Sequence, residues 1–66
     1  MAVAKVVELT AGSPTSFEDA VKAGIDKASE SLRNIQGAWV SEEKVEVKDG
    51  AIAEFRVTLR ITFLVE

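Results

Sequence analysis

The chain has 66 residues, contains neither cysteine nor histidine, and carries a formal net charge of −3. This composition excludes disulfides, thiolate metal sites, the commonest metal ligand and the usual general base near neutral pH. The chain has no basic stripe, which argues against a nucleic-acid partner. It also has no apolar run of the ~20 residues that span a bilayer, which argues against a membrane partner.

The first half of the chain predicts a strand and then a helix. The strand, Val3–Thr10, is rich in valine and ends at a cluster of turn-forming residues, Ala11–Pro14. Ser16 and Asp19 have the spacing of a capping box, and apolar residues then recur at helical spacing, which predicts a helix over Phe17–Arg33.

The second half predicts two further strands, Ala38–Lys48 and Ala51–Val65. The last strand alternates apolar and other residues without a break, so we expect one apolar and one mostly polar face. A chain of this length is expected to form one domain, residues 1–66, and the absence of a signal-peptide pattern favours a cytoplasmic protein.

The connection between these two strands contains Asp-Gly, which is typical of a β-hairpin. A two-residue Asp49–Gly50 turn would place a lysine opposite Phe55 on the apolar face. A three-residue loop, Lys48–Gly50, pairs Val47 with Ala51 instead and keeps the lysines off that face. The three-residue loop with a G1 bulge is therefore the favoured prediction.

The lengths of the elements predict self-association. The helix would be ~25 Å long at 1.5 Å per residue, whereas the last strand would extend ~50 Å. One helix cannot cover such a face, and a three-stranded sheet has two open edges. Assembly with further copies solves both problems; the alternative is a strongly bent strand that curls around its own helix.

The candidate functional residues are an aromatic side chain and a cation. Trp39, the only tryptophan, either packs in the core or at a subunit interface, or offers a stacking surface to a planar aromatic ligand. Near a symmetry axis, two copies of the indole would sandwich such a ligand. Arg56 either donates hydrogen bonds to that ligand or is a surface cation paired with Glu43 or Glu54.

No catalytic residue is assigned, because the chain has no Cys, His or Tyr. No metal ligand is assigned either. Glu42, Glu43 and Glu46 would hold a hard cation only where several subunits meet. A solvated strand face explains these glutamates more simply.

Six segments, in this order and at this chain length, carry a resemblance to a known family: Lys5–Leu9, Ser13–Ala20, Leu32–Ile35, Ala38–Val40, Asp49–Gly50 and Glu54–Phe63. The chain resembles the dodecins, which are small flavin-binding proteins. The resemblance implies an α+β fold: a β-α-β-β subunit whose three-stranded antiparallel sheet wraps around one helix. It also implies a hollow homododecamer.

The resemblance further implies a function in storage and buffering of flavins rather than in turnover. Riboflavin, FMN or FAD would bind as stacked pairs between symmetry-related Trp39 side chains. Ala38, Val40 and Arg56 are the other implied flavin-binding residues, and coenzyme A is a further candidate ligand. A ligand-free or cation-binding structural dodecamer is the alternative, and an enzyme that uses bound flavin is a third hypothesis.

One position departs from part of the family, since some dodecins have glutamine where this chain has Arg56. An amide both donates and accepts hydrogen bonds, whereas a guanidinium only donates. Arg56 would therefore serve the carbonyl oxygens of a flavin but not its ring N–H. We expect a different orientation, affinity or ligand preference as a result.

Overall fold

The computed structural model describes residues 3–65, which form β1 (Val3–Ser13), α1 (Phe17–Ala28), β2 (Ile35–Lys48) and β3 (Ala51–Val65). The strands form one antiparallel sheet in the order β1-β3-β2, so that the last strand lies in the middle. The predicted α+β fold with β-α-β-β order is confirmed.

The core lies between α1 and the β1–β3 side of the sheet. A Cβ atom added at Gly24 of α1 would come within 2.7 Å of Leu59 Cδ1 and 3.2 Å of the Ala11 Cβ, so glycine permits this close approach. Phe17 and Phe55 close one end with an edge-to-face contact at 5.2 Å between ring centroids. The buried apolar residues are Ala20, Ala28, Val57, Leu59 and Ile61.

The helix ends earlier than predicted, at Ala28 rather than Arg33. Ser29 is its C-cap, and the Ser29 hydroxyl donates a hydrogen bond to the Ile25 carbonyl at 2.8 Å. The next two backbone N–H groups bond to carbonyls three residues back, which tightens the final turn. Asn34, with φ of 61°, then turns the chain into β2.

Both outer strands are longer than predicted. β1 continues through Ser13, with Gly12 opposite Arg56, so the segment Ala11–Pro14 is not a turn as a whole. β2 begins three residues earlier than predicted, at Ile35. The long central strand supplies backbone partners at these extensions, and pairing overrides the weak strand propensity of the glycine and serine residues among them.

The predicted three-residue hairpin loop is wrong. Lys48 lies opposite Ala51, which leaves a two-residue turn of Asp49 and Gly50. Their φ angles are 53° and 77°. A type I′ turn needs positive φ at both central positions, and Asp-Gly is among the pairs best suited to it.

A register shift beside this turn preserves the apolar face. The pairing slips by one residue between Glu46 and Val47, so that Val45 rather than Lys44 lies opposite Phe55. A β-bulge of this kind inserts one unpaired residue and moves the following side chains to the other face. The two-residue turn therefore does not place lysine against the core, which was the reason for expecting a longer loop.

The start of α1 is held by Ser13, which is 2% exposed. Its Oγ donates to Asp19 Oδ2 at 2.6 Å and accepts the Thr15 N–H at 2.9 Å. As predicted, Ser16 caps the helix, and its Oγ accepts the Asp19 N–H at 3.0 Å.

Ser13→Ala is expected to lower the free energy of unfolding by roughly 1–2 kcal/mol, because two hydrogen bonds are lost beside a buried position. Chemical denaturation at matched subunit concentration measures this effect. Ser31→Ala, at an exposed position, is the matched control. Equal effects of the two substitutions would contradict the structural role of Ser13.

The sheet extends well beyond the helix. The described chain measures 51 × 19 × 14 Å, whereas the 12 residues of α1 cover only ~18 Å. No helix within residues 3–65 is long and apolar enough to cross a membrane. Several large apolar side chains are left exposed in the single chain: Val3, Val6, Trp39, Val40, Val47, Ile52 and Val65.

Candidate functional site

The sheet has one face against α1 and one face turned away from it, which we call the open face. On β3 the buried residues Val57, Leu59 and Ile61 point toward α1. Because side chains alternate along a strand, the intervening residues define the open face. Those of β3 are Glu54, Arg56, Thr58, Arg60, Thr62 and Leu64.

Trp39 lies on the open face and on an edge strand. Its partner across the sheet is Arg60 of β3, and 61% of its surface is exposed in the single chain. Packing in the core of the subunit is thereby excluded as its role. A subunit contact and a stacking surface remain, and both place the indole against something outside this subunit.

Ala38 and Val40 do not share a face with Trp39. They lie opposite Ile61 and Leu59, so that their side chains are directed to the α1 side of the sheet, although both remain exposed. As members of a Trp39 site they would contribute backbone groups rather than side chains.

Arg56 lies on the open face and is already paired within the subunit. Its Nη1 is 2.7 Å from Glu54 Oε1, and both side chains are 36% exposed. This agrees with the interpretation of Arg56 as a cation paired with Glu54. Because such partly exposed pairs contribute only ~0–1 kcal/mol, the guanidinium remains available to a ligand.

Within one subunit Trp39 and Arg56 are well separated. Arg60, the cross-strand partner of Trp39, lies four residues after Arg56 along β3, which corresponds to about 13 Å. The two predicted site residues therefore share a face without being neighbours. A ligand that contacts both must be long, or must receive one of them from a second copy.

A cavity of about 570 Å³ lies beside Arg56. Its volume is within the range of ~300–1,000 Å³ that is common for small-molecule sites. Charges of both signs and two hydroxyl groups line it, and Trp39 does not. The lining residues are Thr10, Glu42, Glu43, Lys44, Arg56, Val57 and Thr58.

The acidic residues of β2 do not converge in the subunit. Glu42 and Glu43 lie opposite Thr58 and Val57, and hence on different faces. Glu46 forms a salt bridge with Lys44 at 3.5 Å. Across the part of the chain that the structure describes, no three carboxylates are grouped to hold a metal ion.

Arg60 is the open-face residue that the sequence analysis missed. It is exposed and lies directly opposite Trp39. Continuing the predicted hairpin pairing would have placed Trp39 opposite Leu59, on the α1 side. The observed two-residue turn gives the Trp39–Arg60 pair instead, because the two register shifts between the turn and Trp39 are opposite in sense and cancel.

The fold defines a small β-α-β-β subunit with one helix on a three-stranded antiparallel sheet, and comparison with known proteins identifies its family. The family model named Dodecin matches residues 3–66. The chain therefore belongs to the dodecin family.

Individual relatives are similar over almost the whole chain. The calcium dodecin of Mycobacterium tuberculosis is 32% identical over 63 residues, which cover 96% of this chain and 89% of the relative. Its crystal structure, described as having a novel calcium-binding site, aligns with a TM-score of 0.85 at 32% identity and covers 97% and 91% of the two chains.

Two other solved structures align more closely. The dodecin from Streptomyces coelicolor has a TM-score of 0.95 at 28% identity, covering 98% of this chain and 93% of its own. A variant of the T. thermophilus dodecin has a TM-score of 0.95 at 29% identity and covers 100% and 98%.

Proposed function

We propose that this protein is a homo-oligomeric flavin-binding protein that stores and buffers riboflavin, FMN or related flavins. The observation that carries the proposal is Trp39, an indole that is 61% exposed on the open face of an edge strand. A planar isoalloxazine offers such a ring a large stacking surface. Aromatic stacking of this kind contributes roughly 1–3 kcal/mol per ring.

Assembly supplies the second half of the site. A twofold axis beside β2 would bring two Trp39 side chains face to face, and paired flavins would stack between them. The exposed apolar residues at both ends of the sheet support extensive burial between copies. A closed homododecamer is the assembly that we propose.

We propose that Arg56 donates hydrogen bonds to the carbonyl oxygens of the flavin, and that these replace its partly exposed salt bridge with Glu54. Because Arg56 lies about 13 Å along the strand from the level of Trp39, we propose that it acts on a flavin held by the indole of another subunit. Ala38 and Val40 would contribute backbone groups beside the ring.

We propose that the protein binds flavin without catalysing a reaction of it. The chain contains no Cys, His or Tyr, and these are common proton-transfer and nucleophilic groups. An indole stacked on flavin is also expected to quench the excited flavin by electron transfer, which suits a protein that holds flavin in an unreactive state.

Titration of the purified oligomer with riboflavin and with FMN tests the proposal. Flavin and tryptophan emission should fall together and saturate, and the tryptophan signal reports on one position because Trp39 is the only tryptophan. Light scattering should give the size of a closed oligomer. Unchanged emission from an intact oligomer would rule out flavin binding at Trp39.

A cation-binding structural oligomer is the second candidate, and the 32% identity to a calcium dodecin favours it. Since the described carboxylates do not converge within one subunit, a calcium ion would need ligands from several copies. Calorimetric titration with Ca²⁺ in the absence of flavin distinguishes the two. Saturable Ca²⁺ binding without any flavin quenching would favour this candidate.

A further inference from the structure

The immediate neighbour of the exposed indole is a cation. Trp39 on β2 and Arg60 on β3 lie directly opposite each other on the open face. Cβ atoms of such cross-strand partners are about 4.5–5.5 Å apart. Any ligand stacked on Trp39 is therefore within reach of the long Arg60 side chain.

The charge of Arg60 is not neutralised within the subunit. Over residues 3–65 it takes part in none of the salt bridges, whereas Arg56 is paired with Glu54 at 2.7 Å. Glu8 of β1 lies opposite Arg60 on its other side but forms no salt bridge with it in this part of the chain. Arg60 is also exposed, so its guanidinium is free to meet an anion.

We propose that Arg60 makes the Trp39 site selective for flavins that carry a phosphate group, so that FMN is preferred over riboflavin. This inference rests on the flavin-binding function proposed above. Riboflavin is neutral, whereas a phosphate monoester carries about −1.5 to −2 charges near neutral pH. The planar guanidinium binds phosphate oxygens with two parallel hydrogen bonds.

Within one subunit, distance to Trp39 singles out Arg60 among the arginine and lysine residues of the open face. Arg56 and Lys44 lie opposite each other on neighbouring strands, about 13 Å along the sheet from Trp39. Exposed charges are largely screened beyond the Debye length of ~8 Å at physiological salt. Arg60 lies inside that distance, and a twofold axis at Trp39 would bring a second Arg60 to the same site.

Glu8, which lies opposite Arg60 on β1, allows a second test of the proposed role of Arg60 in binding phosphate. Its negative charge opposes the binding of phosphate beside Arg60. Glu8→Gln should therefore strengthen FMN binding, whereas a role for Arg60 in packing alone predicts no such gain.

The test is to measure dissociation constants for FMN and riboflavin with the assembled protein at low and high salt. Arg60→Gln should weaken FMN binding by about tenfold, because a charge-assisted phosphate contact is lost, and should change riboflavin binding by less than about twofold. The salt dependence of FMN binding should shrink in the variant. Arg33→Gln, which removes the same charge from the segment after α1, is the matched control and should retain the preference.

The outcomes separate the two proposals. If the wild type binds riboflavin and FMN equally, or if Arg60→Gln weakens both by the same factor, the selectivity is overturned while flavin binding stands. If the wild type binds neither flavin, both proposals fail. Circular dichroism and light scattering establish that each variant is folded and assembled.

Discussion

Trp39→Ala is expected to weaken flavin binding by about tenfold to a hundredfold, which corresponds to the loss of one aromatic stacking contact per flavin. The effect should fall on binding rather than on folding, because the indole is 61% exposed and outside the core of the subunit. Recovery of flavin emission in a titration provides the measurement, since the variant has no tryptophan signal of its own.

Two further variants make this result specific. Trp39→Phe keeps an aromatic ring and should retain part of the affinity. Val47→Ala changes another exposed valine of β2, at the hairpin end of the strand and outside the proposed site, and should bind flavin like the wild type. Disassembly of Trp39→Ala would assign the indole to a subunit contact, and wild-type affinity of this variant would remove the basis of the proposed function.

Leu59→Ala is expected to destabilise the protein by about 2–5 kcal/mol, the range observed for large-to-small changes in a core. Leu59 is completely buried at the centre of β3, and its Cδ1 would lie only 2.7 Å from a Cβ added at Gly24 of α1. A core of this size supplies little more than ~3–5 kcal/mol. The variant subunit should therefore depend on assembly in order to fold.

Denaturant unfolding followed by circular dichroism, at several protein concentrations, measures this loss. Leu64→Ala is a matched control, because it truncates the same side chain on the same strand at a partly exposed position of the open face. It should cost markedly less. Equal losses for the two variants would show that the core does not depend on the contact between Leu59 and α1.

The predictions that succeeded rest on local signals. The bounds Ala51–Val65 follow from an unbroken alternation that only a strand satisfies, and the helix begins where the Ser16 cap predicts. The end of the helix was missed because Ser29 bonds back to a carbonyl and tightens the turn. Apolar spacing continues past that point and gives no sign of it.

The candidate site was predictable only in part, because only some of its features are local in the sequence. A single tryptophan at the start of a strand is visible in the sequence, and so is its resemblance to the flavin-stacking residue of a family. Its partner across the sheet depends on the length of the hairpin turn, because the two register shifts between the turn and Trp39 are opposite in sense and cancel. Counting from the observed two-residue Asp49–Gly50 turn gives Arg60, whereas counting from the expected three-residue loop gives Leu59, so the pair was missed because the expected loop was one residue too long.

The central position of β3 has a consequence for how the chain folds during synthesis. β1 and β2 do not pair with each other; each finds its partner in β3, from Val3 opposite Val65 inward. The ribosome makes β3 last of the three strands, so the sheet cannot form until nearly the whole described segment has emerged. Pairing between such distant residues is slow to form and leaves apolar surface exposed meanwhile. Newly made subunits are consequently most vulnerable to aggregation and proteolysis just before the last strand is completed.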